Sequence, residues 1–251
     1  MKPRLASVMS RRRLLVGGLT AAAGVVVSAC TGRTQTASTS SPSPSATAVA
    51  TPACVVTPTE IEGPYFVDER LNRSDITFDP TDGSARPGVP LTLAFTVSRV
   101  GSGSCIALNG AQIDVWHCDA AGVYSDVAAN NSAGKRFLRG YQVTNSNGIA
   151  TFTTIYPGWY QGRAVHVHFK VRTFAGGAKT FEFTSQLFFD DTVTDAISKQ
   201  APYSSRPNRD TRNQADMVYM SNNNSGALLL AALTPTSAGY AAAFSVGLNL
   251  A

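Results

Sequence analysis

The sequence predicts an all-β fold, an antiparallel β-sandwich with little helix and with long loops that carry the candidate active site. Three observations predict it. Short alternating apolar runs recur with turn residues between them. Helical periodicity is confined to two short stretches. Charged residues make up only 15% of the chain and hydrophobic ones 43%, with 21 Gly and 13 Pro, which argues against a helical bundle or coiled coil. At 251 residues the chain has enough apolar content for a sizeable core.

The elements follow in chain order. Residues 1–29 hold a basic start and then the apolar run 14–29, which contains three Gly in sixteen residues. That is short for a bilayer span and reads as an export signal. Ser10-Arg11-Arg12-Arg13-Leu14-Leu15 resembles a twin-arginine (Tat-type) signal, and Val27-Ser28-Ala29-Cys30 resembles a lipobox with Cys30 as the lipidated residue. The plainer reading is an ordinary cleaved signal with a chance Cys. Residues 30–52 read as a disordered linker: 18 of the 22 residues from Thr31 to Pro52 are Ser, Thr, Pro or Ala. Such a tether spans roughly 25 Å and would hold a domain off a membrane surface.

The folded domain is expected over 53–251. Strands are predicted at 91–100 (LTLAFTVSRV), 111–117 (AQIDVWH), 149–155 (IATFTTI), 164–171 (AVHVHFKV) and 179–189 (KTFEFTSQLFF), with Gly-, Asn- and Ser-rich turns between them. Helix is predicted at 195–198 and at 226–233 (GALLLAAL). Export favours a disulfide among Cys54, Cys105 and Cys118. Three single pairings exist and the sequence alone does not choose. Cys105 and Cys118 flank one strand at opposite ends, so Cys54–Cys105 is the expected bridge.

The formal charge of +5 suggests a nucleic-acid partner until its location is counted. Lys2, Arg4, Arg11, Arg12 and Arg13 lie in the signal, which has no acidic residue, leaving 16 basic against 16 acidic residues beyond it. A basic stripe for phosphates is not supported, and no nucleic-acid partner is expected. Membrane contact is expected through the lipid anchor only, at the outer face of the cell membrane or outside the cell.

The chain has only three His. His166 and His168 sit two apart in the strand 164–171, so both imidazoles point to one face, with Cα atoms about 7 Å apart, and can converge on one metal. Val165, Val167, Phe169 and Val171 take the other face, toward the core. The bland reading is a solvated face with two incidental His. Just upstream, Tyr156-Pro157-Gly158-Trp159-Tyr160-Gln161-Gly162-Arg163 adds a Tyr and an Arg; earlier, residues 115–124 (VWHCDAAGVY) run off a strand into a loop ending in Tyr124. Two phenolates with two imidazoles suit a hard, high-charge ion such as Fe(III), because phenolate is a hard anionic donor and stabilises the ferric state.

These segments resemble the intradiol ring-cleavage catechol dioxygenases, in particular their small exported branch. The matching blocks are Glu62-Gly63-Pro64-Tyr65-Phe66, residues 115–124, Pro157-Gly158-Trp159-Tyr160, Arg163-Ala164-Val165-His166-Val167-His168-Phe169 and Gln186-Leu187-Phe188-Phe189. They stand in family order over roughly 54–245, and the Arg-x-x-His-x-His block with both Tyr is the specific part. The interval from Tyr160 to His166 is shorter than in the cytoplasmic members, and an N-terminal helical dimerisation segment like theirs is lacking.

The resemblance implies one non-haem Fe(III) per chain, held by Tyr124, Tyr160, His166 and His168. It implies a catechol-type substrate and O2, and a cis,cis-muconate-type product. By the same pattern Tyr160 is the axial ligand that leaves when substrate binds, Arg163 stabilises developing charge, Gln186 orients the ring, and Gly63, Pro64 and Tyr65 line the substrate mouth. His117 has no matching ligand role. A cupin would need a further His after His168, and a facial-triad oxygenase His-x-Asp/Glu; both are absent. The rival of another class is an exported, lipid-anchored β-sandwich that binds aromatic or carbohydrate ligands without turnover. The ring substituents of the substrate and the oligomeric state cannot be read from the sequence.

Overall fold

A computed structural model describes residues 55–101 and 104–250. The expected export signal, Cys30, the linker and Cys54 lie outside the described residues. Among the described residues nine strands form two sheets, with few and short helical segments. The first sheet contains β1 (Pro90–Gly101), β2 (Ser104–Ala107), β5 (Ile149–Ile155), β8 (Ala232–Pro235) and β9 (Tyr240–Leu248). The second runs β4 (Arg139–Val143), β3 (Gln112–Trp116), β6 (His166–Ala175) and β7 (Ala178–Phe188). The all-β sandwich expectation holds, with one exception to antiparallel pairing: β9 runs parallel to β1, Leu91 opposite Tyr240 through Arg99 opposite Leu248.

Strand alternation builds the core. Leu91, Leu93, Phe95 and Val97 of β1 are all buried, two residues apart, and meet Val167, Phe169, Val171 and Leu187 of the second sheet in one cluster. Phe95 lies at its centre, with ring centroids of Phe169, Phe152 and Phe244 at 5.1, 6.1 and 6.5 Å.

Three expectations need correction. The strand expected at 164–171 starts two residues later and runs on to Ala175. The helix expected at 195–198 is α1 (Asp191–Ile197), which starts earlier because the Asp190 carboxylate accepts the N–H groups of Thr192 and Val193, at 2.7 and 3.3 Å. The run 226–233 is not an α-helix but a 3₁₀ turn (Ser225–Leu229) followed by β8. Gly226 is jammed against Tyr219, whose ring would lie 2.4 Å from a Cβ there, Leu229 is drawn into the core, and Leu230 bridges to Phe188, so tertiary contacts override the apolar run. The cysteines partly answer the bridge expectation: Cys105 is disulfide-bonded, and Cys118 is a free, buried thiol.

The outer face of the second sheet is also covered. The segment 57–72 crosses it as a strap, with Glu60 N–H donating to Thr184 O at 3.1 Å and Tyr141 N–H to Leu71 O at 2.8 Å. Because Phe95 joins both sheets, Phe95→Ala should cost about 3–5 kcal/mol. The check is a lowered urea midpoint with little change in the slope of the transition.

Candidate functional site

The site stands on β6. His166 and His168 share one face of that strand, and the other face enters the core, as alternation requires. The face is not solvated: both imidazoles are 1% exposed. The incidental-surface reading of these histidines is therefore excluded. Trp116 pairs with His168 across β3 and β6, and its ring stacks on the imidazole at 4.9 Å and 9°. Gln186 pairs with His168 from the other side, across β6 and β7.

Four donor atoms meet here. His166 Nε2 lies 3.0 Å from His168 Nε2, 3.2 Å from Tyr160 Oη and 3.4 Å from Tyr124 Oη. His166 Nδ1 donates to Ala164 O at 2.6 Å, which leaves Nε2 with its lone pair directed into the cluster. Burial first, and then the Arg163 charge, push the His166 pKa down to about 3; burial and then His166 push His168 down as well. Both rings are neutral donors. Burial raises both phenols, Tyr160 to about 12 and Tyr124 further.

This donor set fits a small, hard cation. Separations of 3.0–3.4 Å are those of donors sharing one ion with bonds of about 2.0–2.1 Å. Among the described residues no three His, Cys, Asp or Glu side chains converge, so an ion held here has to use the phenols. His168 Nδ1 is buried without a protein partner, and Trp116 stacking orients the ring instead.

Two loops deliver the tyrosines, and glycine lets them touch. Asp119 shapes the first by accepting the N–H groups of Ala121 and Val123 at 2.9 and 3.0 Å. Gly122 has φ +82°, and a Cβ there would meet Trp159 O at 2.3 Å. In the facing loop, a Cβ on Gly158 would meet Ala120 O at 2.4 Å. Arg206 staples the two loops. Its guanidinium donates to Ala121 O and to Trp159 O, and it lies 4.2 Å from the Trp159 ring centroid. Trp159 Nε1 donates back to Arg206 O at 2.7 Å.

The remaining expected residues gather around the cluster. Gly63 sits against His168: its Cβ position is 3.4 Å from the imidazole Cε1. Tyr65 stacks on Tyr124 at 4.5 Å and meets Tyr160 edge-on at 6.0 Å, while Pro64 between them is exposed. Arg163 Nη2 donates to Gln186 Oε1 at 2.6 Å and Nη1 to Tyr160 Oη at 3.4 Å; Gln186 Nε2 donates to Ile61 O at 2.8 Å. His117 is excluded from the cluster, with Nδ1 at 2.8 Å from Cys118 O and Nε2 at 2.7 Å from Thr154 Oγ1.

Sequence reasoning missed two supports besides Arg206. Arg139 is buried and donates to Ser125 Oγ (2.7 Å), Ser125 O (2.5 Å) and Tyr65 O (2.6 Å), so one guanidinium holds the chain next to Tyr124 and the strap carrying Tyr65. Lys170, also buried, meets Glu62 and Glu182 and lies 4.0 Å from the Phe66 ring centroid. A lone Lys or Arg in a strand carries no sequence signal for such a role.

Known proteins resemble this chain. The family model described as Dioxygenase matches residues 61–221. Chlorocatechol 1,2-dioxygenase of Pseudomonas putida is 32% identical over 151 residues, covering 52% of this chain and 52% of that protein, so the chain matches about half of that relative's length. An intradiol ring-cleavage dioxygenase from Tetranychus urticae superposes with a TM-score of 0.67 at 29% identity, over 78% of this chain and 95% of that one. The dioxygenase domain of a dioxygenase–carbohydrate-binding fusion from Streptomyces sp. SirexAA-E, also 29% identical, gives 0.56 over 78% of this chain and all of that one. With two buried imidazoles and two phenols converging in a β-sandwich, and a family match over most of the folded part, the chain belongs to the intradiol ring-cleavage dioxygenase family.

Proposed function

We propose that this chain is a non-haem Fe(III) dioxygenase that opens a catechol-type ring between its two hydroxyl-bearing carbons, adding both atoms of O2 to give a cis,cis-muconate-type diacid. The observation that carries the reading is the convergence of Tyr124, Tyr160 and His168 donor atoms within 3.4 Å of His166 Nε2. A sandwich that only binds aromatic or carbohydrate ligands has no use for four such donors so close together.

Tyr124, Tyr160, His166 and His168 would hold the ion. Ferric iron, when bound, supplies Lewis-acid and redox chemistry by drawing electron density from a coordinated catechol ring so that dioxygen can react with it. The chain's own residues do the rest. Tyr124 is fully buried under Tyr65 and stays in place. Tyr160 is half-buried on its loop, and as the phenolate that a bound ion would stabilise, its Oη would take a catechol proton. Arg163, 3.4 Å from that oxygen, stabilises negative charge as it develops, and Gln186 fixes the angle of the guanidinium. Gly63, Pro64 and Tyr65 form the wall against which the ring lies.

Purified protein should contain about one iron per chain and be red to purple from phenolate-to-iron charge transfer. It should consume oxygen with at least one member of a panel of substituted catechols. Colourless protein carrying stoichiometric zinc after expression with ample iron would overturn the proposal.

The two kinds of donor should separate under mutation. Tyr160→Phe should keep its iron and lose most of kcat, whereas His166→Ala should lose most of its iron, as metal analysis and oxygen uptake would show. Wild-type turnover by Tyr160→Phe would remove Tyr160 from the proton step.

We also propose Tat-type export with lipidation at Cys30, which would tether the enzyme at the outer face of the cell membrane. Wild-type protein should then partition with membranes and Cys30→Ala should not. Fully soluble wild type with a mature N-terminus elsewhere would refute the anchor.

A further inference from the structure

Asp216 lies outside every segment that carries chemistry in the sequence, about fifty residues past the histidines. Its carboxylate is 0% exposed and makes four hydrogen bonds. Oδ2 accepts from Arg163 Nε at 2.9 Å and from Ala164 N–H at 2.6 Å. Oδ1 accepts from the N–H groups of Val218 and Tyr219 at 2.7 and 3.0 Å. The first pair leads into the site by two routes. With Nε tied down, the fork of Arg163 turns toward Gln186 Oε1 and Tyr160 Oη. With the Ala164 N–H held, the neighbouring Ala164 carbonyl is set to receive His166 Nδ1.

We propose that Asp216 is a positioning residue for the ring-cleavage reaction: it acts through Arg163, aiming that guanidinium at the Tyr160 oxygen. The proposal rests on the roles given to Arg163 and Tyr160 in the proposed function. A surface carboxylate would leave Arg163 several rotamers and screen its charge. A dry carboxylate whose other oxygen is held by two backbone N–H groups cannot follow the guanidinium if it turns, so the ion pair acts as a fixed bracket. The alternative is that Asp216 only anchors the turn at 218–219.

Asp216→Asn tests the difference. An amide presents one acceptor and one donor, so whichever way it turns an NH2 group faces N–H donors, and Arg163 loses its counter-charge. The single variant should lose about 10–100-fold in kcat with iron content kept, and Arg163→Ala about 10²–10³-fold, the scale for one preorganised stabiliser of developing charge. If Asp216 acts through Arg163, then Asp216→Asn placed on Arg163→Ala should change kcat less than about twofold further. The charge-transfer band of the resting iron protein should move in Asp216→Asn as it does in Arg163→Ala, because Tyr160 Oη loses the same neighbour. A mere anchor of the turn would not move it. Should Asp216→Asn not accumulate, Asp216→Glu, with its carboxylate displaced by one methylene, takes its place with the same expectations. An active wild type whose variants show multiplying losses, or an unmoved band, overturns the role of Asp216 alone. A wild type that holds no iron and consumes no oxygen overturns it together with the proposed function.

Discussion

From His166 to Arg172 the strand His166–Ala175 is buried on both faces, and the rest of the site follows from that constraint. One face enters the sandwich core as Val167, Phe169 and Val171. The other carries His166, His168, Lys170 and Arg172, all polar and all buried. Burying two cations is costly unless each finds a counter-charge. The strap supplies Glu62 to Lys170 and Asp68 to Arg172, while β3 and β7 add Asp114 and Glu182. Such pairs add little net stability, but they fix register. With Glu62 and Asp68 both pinned, the Gly63–Phe66 stretch between them has no choice but to lie across the imidazoles. The stretch proposed to wall the substrate mouth is therefore placed by charges further along the same strand as the two imidazoles.

The cations nearest the cluster bias its chemistry. Arg163 reaches Tyr160 Oη, and Arg139 lies under the backbone beside Tyr124. Positive charge here favours phenolate over phenol and neutral imidazole over imidazolium, and burial works with it on the imidazoles. On the phenols burial outweighs it, so they stay protonated until an ion takes the place of their protons; two phenolates and two neutral imidazoles would then suit a trivalent ion better than a divalent one. Each guanidinium is held by acceptors away from the cluster, Arg163 by Asp216 and Arg139 by Ser125, so both are already in place before any substrate arrives.

Much of this was legible in the sequence because it is local. Period-two alternation gave five strands, and the His-x-His spacing placed two imidazoles on one face. Tyr160 and Arg163 lie within a few residues of strand ends and Tyr124 in the loop that follows β3, where loops carry function. What was not legible depends on partners far away in the chain. β9 (YAAAFSVGL) is Ala-rich and weak in strand propensity, and it becomes a strand by parallel pairing with β1, some 150 residues earlier. The apolar run at 226–233 reads as helix until Tyr219 and the core claim its residues. Arg139, Arg206, Lys170 and Asp216 look like ordinary charged residues in sequence; the partners that meet them, and the burial of all but Arg206, exist only in the folded chain.

The same logic distinguishes the two tyrosines, which sequence alone treats as equals. Tyr124 sits at the end of a loop closed by the Asp119 turn, under the stacked ring of Tyr65, with Ser125 beyond it clamped twice by Arg139. Moving its oxygen would mean dismantling all three. Tyr160 lies on a loop whose tip is exposed, and beyond the cluster its hydroxyl meets only an Arg163 donor at the long distance of 3.4 Å. The Tyr160 hydroxyl is thus the less restrained of the two, which accords with the leaving role proposed for it. The guanidinium beside Tyr160 is held from behind by Asp216, so its aim at that oxygen does not depend on the loosely held phenol itself.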